Sequence, residues 1–369
     1  MQALYPLRFK EILRDYEFGG RWIAEEFAKK GLPDGHRLAE TWEVCDRPGE
    51  SSVVMNGELS GRTLHELIET HGEALLGRAV TALSGLRFPL LIKLLDATNP
   101  LGEQIHPDDS LARELGLEDS GKTEAWYMLR TQPGATIHCG ARGGIGRTEV
   151  LNALINDTIR DIMEERAVRS GDAFLLHAGA MHYSRGGVLF YEIMQNSDVT
   201  IALRNRELLP GTESRKKWAE KTLKGVRTVG GSECKIQPVT IASGMNRVSY
   251  IFACRYFALE RLDLASTHEI ACTGARFYVL TQIEGEATIT SDSHTEKLSP
   301  GQSCLLPASL GKVVITPSGR CTQLSAYAPD LVRDVIQPLR KAGIHDASII
   351  DLGGEASCNP LVDLIGKIP

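Results

Sequence analysis

Residues 171–182 read GDAFLLHAGAMH. Gly-Asp sets a turn, a short strand follows, Ala178-Gly179 turns the chain tightly again, and His182 arrives on the far side. Working outward, segments of similar length bounded by Gly, Pro, Asp or Asn recur from Phe88 onward: FPLLIKLLDA (88–97), EAWYMLR (124–130), ATIHCG (135–140) and GVLFYEIMQ (187–195). This is the rhythm of an antiparallel sandwich or barrel, with helices such as Glu149 to Asn156 inserted.

The same rhythm returns downstream in VSYIFACRYFALERLDL (248–264), ARFYVLTQIEGEATITS (275–291), QSCLLPA (302–308), KVVITPS (312–318) and TQLSAYA (322–328). Between the two series a basic helix is expected over Glu213 to Lys224, followed by the Gly-rich linker TVGGSE (228–233). Upstream, helices are expected over Arg21 to Lys29 and Thr63 to Leu76, the second opened by a Thr63/Glu66 capping box. Between them, turns at Pro48-Gly49 and Asn56-Gly57 suggest hairpins. A helix near Asp330 to Lys341 and an irregular tail close the chain. The expected division is a metal-binding unit over residues 1–210, a helix and linker over 211–232, a second β unit over 233–330, and a C-terminal helix and tail over 331–369.

Length and composition agree with this picture. The 369 residues are 42% hydrophobic and 24% charged, which excludes long disorder, collagen and coiled coil. A formal charge of -6 without a basic block offers no footprint for nucleic acid or an anionic membrane, so a small-molecule partner is the better expectation. The eight scattered cysteines form no CxxC pair and read as reduced core residues. The N-terminus, MQALYPLRFKEILRDYEF, lacks a signal-peptide pattern, and no apolar run is long enough to span a bilayer. The expected location is the cytoplasm.

The first β unit carries a metal constellation. In GEQIHPDD, Gln104 and His106 are two residues apart, and on a strand they share a face. Pro107 keeps His106 out of the helical region. Glu124 opens the next strand on the same face as Trp126 and Met128, where a carboxylate pointing inward must be paired or bind a cation. His182 completes the set. Two neutral imidazoles, an amide and one carboxylate would hold a divalent ion with net positive charge and an open Lewis-acid position. Lys93, between Leu91 and Leu95 on an apolar face, and Lys122, beside Glu124, add cationic groups.

In order, FPLLIKLLDA, LGEQIHPDD, GKTEAWYML, GDAFLLHAGAMH and YEIMQNSDVT resemble the class I mannose-6-phosphate isomerases, zinc enzymes of the cupin superfamily. YPLRF, FGG, ETWEV and SVVMNGELSGRTLHELI nearer the N-terminus are similar to that family too. The resemblance implies a mainly β fold of two tandem cupin (jelly-roll) sandwich domains, with helical insertions in the first; in the second, SPGQSCLLPA (299–308) repeats the turn around Gly171, but Gly311 and Lys312 stand where a ligand His would follow, so no metal is expected there. It implies one Zn²⁺ per chain on Gln104, His106, Glu124 and His182, and interconversion of mannose 6-phosphate and fructose 6-phosphate through an enediolate. By the same resemblance Lys122 and Glu192 are catalytic, while Lys93 and Asp198 bind substrate.

The segment Gly171 to His182 follows the second cupin motif, with His177 at the usual Pro, where a strand-end residue and no ligand is expected. One departure stands out: Ala202 occupies the place of the family's arginine. Arg204, on the same face if the strand continues, is the nearest substitute. An alternative is therefore a non-catalytic or regulatory sugar-phosphate-binding cupin that has lost this arginine. An oxygenase or epimerase is disfavoured, because Gln104 fills a fourth ligand place.

Overall fold

The computed structural model describes residues 3–29, 36–228, 230–292 and 294–368. The fold is mainly β. A seven-stranded antiparallel sheet runs in the order Lys235–Ile236, Ala173–Leu176, Glu124–Thr131, Val188–Gln195, Leu90–Ala97, Glu40–Val44, Ile12–Arg14. A five-stranded sheet faces it, in the order Met163–Ala167, Thr136–Ala141, His182–Ser184, Gln104–Ile105, Ile201–Ala202. Trp126, Met128, Phe174 and Phe190 from the first sheet pack on Ile137 and Cys139 from the second. The helices Arg147–Asn156 and Glu213–Leu223 cover the outer side of the smaller sheet, burying Ile105, Leu154 and Ala219.

A second sandwich pairs an eight-stranded sheet with a four-stranded one. The larger sheet is built around Asn246–Ala253, Ala258–Leu264, Cys321–Tyr327, Tyr278–Glu284 and Ser303–Leu306. The smaller holds His268–Cys272, Gly311–Pro317, Ala287–Ser291 and His294–Leu298. The two large sheets lie back to back. Leu90–Ala97 is buried at every position because both its faces are covered. Leu90, Ile92 and Leu94 join one apolar cluster with Leu259, Val279 and Leu324 of the second sandwich, while Leu95 and Ala97 face the interior of the first. Arg261 donates to the Tyr127 hydroxyl across this seam at 2.8 Å.

The chain also crosses between the sandwiches at both ends. Leu7–Lys10 pairs antiparallel with Ser303–Leu306, and Lys235–Ile236 pairs with Ala173–Leu176. Among the described residues no helix is long and apolar enough to cross a membrane.

The strand series appears where its alternation places it, and the capping box at Thr63 forms, with Glu66 Oε2 accepting from the Thr63 amide at 2.8 Å. Five details differ from the sequence expectation. The helix over 63–76 breaks at Gly72, whose φ of +45° ends Leu64–His71 before Glu73–Leu76 begins. The turn after Asn56-Gly57 closes only a single antiparallel bridge, Val53 to Thr63, with Val54 donating to Arg62 O at 2.9 Å, and no second strand forms; Val53–Val54 pairs on its other side with Leu7–Lys10. Near Asp330 the helix starts as a wide π turn over Val332–Ile336, because Pro338 has no amide to return to Asp334. The tail is not irregular: it forms helices Asp346–Asp351 and Pro360–Ile365, which bury Ile349, Leu361 and Ile365. The strand through Ala202 stops there and does not reach Arg204. Of the expected linker, Val229 lies outside the described residues.

Candidate active site

Four strand pairings bring the proposed ligands together. His182 opposes Gln104, Gln104 opposes Ala202, and Glu124 opposes Leu176 and Met194 in the larger sheet. His106 and His182 therefore look across the sandwich at Glu124. His106 Nε2 lies 3.2 Å from Glu124 Oε2, and His182 Nε2 lies 3.1 Å from Glu124 Oε1. Gln104 Nε2 sits 3.0 Å from His182 Nε2, and a half-turn of the amide would present its oxygen to the same point.

Carbonyl oxygens fix the rings. His106 Nδ1 is 2.7 Å from Val199 O and His182 Nδ1 is 2.9 Å from Ala180 O, so each Nδ1 carries the proton and each Nε2 lone pair faces inward. This is the arrangement a metal ligand needs. Glu124 is fully buried; its Oε2 meets the Lys122 ammonium at 2.9 Å, while its Oε1 and His106 Nε2 find no hydrogen-bond donor. Orphaned acceptors of this kind are costly unless a cation meets them. Among the described residues, His106, Glu124 and His182 are the group of three able to hold a metal ion. Nitrogen and oxygen donors suit a borderline divalent ion. Burial, reinforced by the Lys122 charge, pushes His106 down to about 4, so the ring is neutral near pH 7. For Glu124, burial favours the neutral acid, but Lys122 at 2.9 Å holds the group well below the usual carboxylate range.

A second cluster lies one ladder step away. Glu192 opposes Trp126 on one side and Lys93 on the other. Lys93 Nζ is 3.0 Å from Glu40 Oε2, 3.6 Å from Glu192 Oε2 and 3.7 Å from Asp198 Oδ1. Burial would discharge this lysine, but three carboxylates, Glu40 foremost, raise its pKa above the ordinary value and keep it charged. The Trp126 indole donates to Glu192 Oε1 at 2.9 Å. Burial, then the negative charge of Glu124, push Glu192 up to about 7. Lys93 and Glu192 are buried, whereas the Asp198 side chain is 43% exposed and marks the open side of the cluster.

Arg204 is not gathered in with these groups. Beyond the strand end, it donates to Asp157 through Nε at 3.2 Å and Nη2 at 2.6 Å, and Asp157 also accepts from Arg215. Ala202, by contrast, lies on the face of Gln104. His177 is buried, with Nε2 2.9 Å from Gly353 O. Sequence reasoning passed over Glu40 and Trp42. The Trp42 indole donates to Glu40 at 2.8 Å, and the ring lies 5.1 Å from Lys93 Nζ. Alternation in ETWEV sets an acid beside Trp42 on one face, the signal that exposed Glu124.

A pair of back-to-back antiparallel sandwiches, one with two imidazoles and a carboxylate converging between its sheets, defines a cupin-type protein with a group able to hold a metal ion. Residues 7–125 match the family model for the phosphomannose isomerase type I catalytic domain, and residues 246–325 match the mannose-6-phosphate isomerase cupin domain. The mannose-6-phosphate isomerase ManA of Bacillus subtilis is 28% identical over 328 residues, covering 86% of this chain and 97% of the relative. A crystal structure of the mannose 6-phosphate isomerase from Bacillus subtilis shares the fold with a TM-score of 0.75 at 25% identity, covering 87% of this chain and 99% of that one. A putative mannosephosphate isomerase from Archaeoglobus fulgidus aligns with a TM-score of 0.69 at 25% identity, covering 87% of this chain and 97% of that one. The chain belongs to the type I phosphomannose isomerase family.

Proposed function

We propose that the protein interconverts mannose 6-phosphate and fructose 6-phosphate through an enediolate, with one zinc ion on Gln104, His106, Glu124 and His182. The observation that carries this reading is the convergence of His106, Glu124 and His182, with His106 Nε2 and Glu124 Oε1 buried and lacking a hydrogen-bond donor. When bound, a divalent ion supplies Lewis-acid stabilisation of negative charge on adjacent sugar oxygens.

The chain's own residues do the rest. Glu192, poised near neutrality, moves the proton between C1 and C2, since a general acid–base works best with a pKa near the working pH. Trp126 fixes one of its oxygens and leaves the other toward Lys93. Lys93 and Lys122 hold positive charge at fixed points in a buried site, where charge acts more strongly than in water. Asp198, at the exposed side, receives a sugar hydroxyl. Arg204 could approach substrate only by leaving Asp157. We take the functional division to be residues 1–210 for the metal site and 233–330 for a second cupin unit, joined by 211–232 and closed by 331–369. A cytoplasmic setting suits this small-molecule chemistry.

A coupled assay for fructose 6-phosphate formation, run with elemental analysis of the purified chain, tests the proposal. Turnover with about one zinc per chain is expected. Full turnover in protein stripped of metal and kept in chelator would refute it.

A further inference from the structure

The ladders of the two sandwiches run in the same register. In the first, Glu124 opposes Leu176, and Glu192 opposes Trp126 and Lys93. In the second, Tyr278 opposes Leu306, Leu280 opposes Ser325, and Ser325 opposes Glu260. Gly171 precedes Leu176, and Gly301 precedes Leu306, by the same five residues, both glycines at positive φ (+89° and +81°). Counted along the ladders, Tyr278 takes the place of Glu124, Ser325 that of Glu192, and Glu260 that of Lys93.

All three line a cavity of about 320 Å³, together with Arg276, Tyr327 and Arg333. Tyr327 donates to Glu260 Oε1 at 2.6 Å on the floor. Arg276, only 4% exposed, pairs with Asp334. The exposed guanidinium of Arg333 and the Tyr278 hydroxyl have no hydrogen-bond or ion-pair partner among the described residues. The floor thus offers hydroxyl and carboxyl groups, and the rim offers an uncommitted cation. The volume suits a small metabolite.

We propose that the second sandwich keeps a non-catalytic binding site, in the place of the metal site, for a small polyhydroxylated anion of sugar-phosphate size. Its anionic end meets Arg333 and its hydroxyls meet Tyr278, Ser325 and Glu260. This does not depend on the chemistry assigned to the first sandwich.

The test is calorimetric titration of the full chain with glucitol 6-phosphate, which has no carbonyl to isomerise. Wild type is expected to bind one equivalent more than Arg333→Glu, whatever the first sandwich binds, while isomerase turnover of the variant stays unchanged. Tyr278→Phe, a variant that removes only a hydroxyl, should weaken that additional site by about fivefold, the worth of one hydrogen bond. Gluconate competing at the same site supports it with a carboxylate at the anionic end. Equal stoichiometry in wild type and Arg333→Glu overturns the proposal, and so does inorganic phosphate binding as tightly as glucitol 6-phosphate.

Discussion

The interior ends of the two sandwiches share a ladder and differ in how they carry buried charge. Around Lys93 the first holds a network of one ammonium and three carboxylates, next to two imidazoles and Glu124. At the matching position the second holds Glu260, satisfied by a tyrosine hydroxyl, with Ser325 and Tyr278 beside it. Buried charges are expensive, and breaking a pair leaves an uncompensated one. The backbone tolerates either solution. The difference shows that a few inward positions change the buried chemistry while the ladder stays the same, consistent with a fold hosting several chemistries.

The comparison breaks most sharply at Glu124. Glu124→Gln should lower metal content below about one-tenth per chain and turnover by about a thousandfold or more, because the carboxylate is the anionic member of the proposed ligand set. The change at the matching position, Tyr278→Phe, should leave both within about twofold. Elemental analysis and the coupled assay read both variants. Normal metal loading in Glu124→Gln would mean that the two ends do not differ as argued.

Next in size is Glu192→Gln. Loss of a general acid–base typically costs on the order of 100-fold or more. Metal content should not change, which separates the proton carrier from the ligands. A turnover within about threefold of wild type would move the proton transfer to another group.

The second sandwich has its own pH signature. Burial pushes Glu260 up to about 7, with Tyr327 and Arg276 opposing only in part. Between about 4.5 and 7 the folded chain therefore holds more protons at this site than the unfolded chain. Stability falls as pH rises through that window and levels off above it, by up to about 3 kcal/mol. Glu260→Gln should remove the penalty. Its melting temperature relative to wild type should be higher at pH 8 than at pH 5, while turnover at pH 7 is unaffected. A difference that does not vary with pH would show that Glu260 is ionised in both states.

Much of this was legible in the chain. Period-two alternation located the strands, an acid on an otherwise apolar face marked Glu124, because burial makes such a residue exceptional, and the two turns of GDAFLLHAGAMH pointed to His182. Glu40 was missed although it carries the same signal, since its role depends on which strand lies beside Leu90–Ala97, and pairing order is not written in a local pattern. The crossing of Leu7–Lys10 into the second sandwich was hidden for the same reason. The tail helices are short and weakly periodic, and they form by packing on surface supplied from elsewhere.

Each sandwich also has an arginine near its rim, and here the smallest effect is expected. Arg333 is uncommitted, whereas Arg204 is tied to Asp157 by two hydrogen bonds. Alternation would aim residue 204 with residue 202 toward Gln104, but the strand ends at Ala202 and the chain turns Arg204 to the C-terminus of helix Arg147–Asn156. Asp157 caps that helix at φ +61° and is held below the usual carboxylate range by Arg204, with Arg215 as a second donor. Arg204→Ala leaves Arg215 in place, so the cost is that of a partly exposed ion pair, up to about 1 kcal/mol. A melting point lower by about 1 °C is expected, with kcat/KM within about threefold of wild type and metal content unchanged. Arg204→Lys keeps the charge and part of the bond, and should recover most of the lost stability. If Arg204→Ala instead abolishes turnover with stability intact, the arginine must leave Asp157 and reach the sugar during the reaction, and Ala202 would be a position whose lost side chain Arg204 replaces.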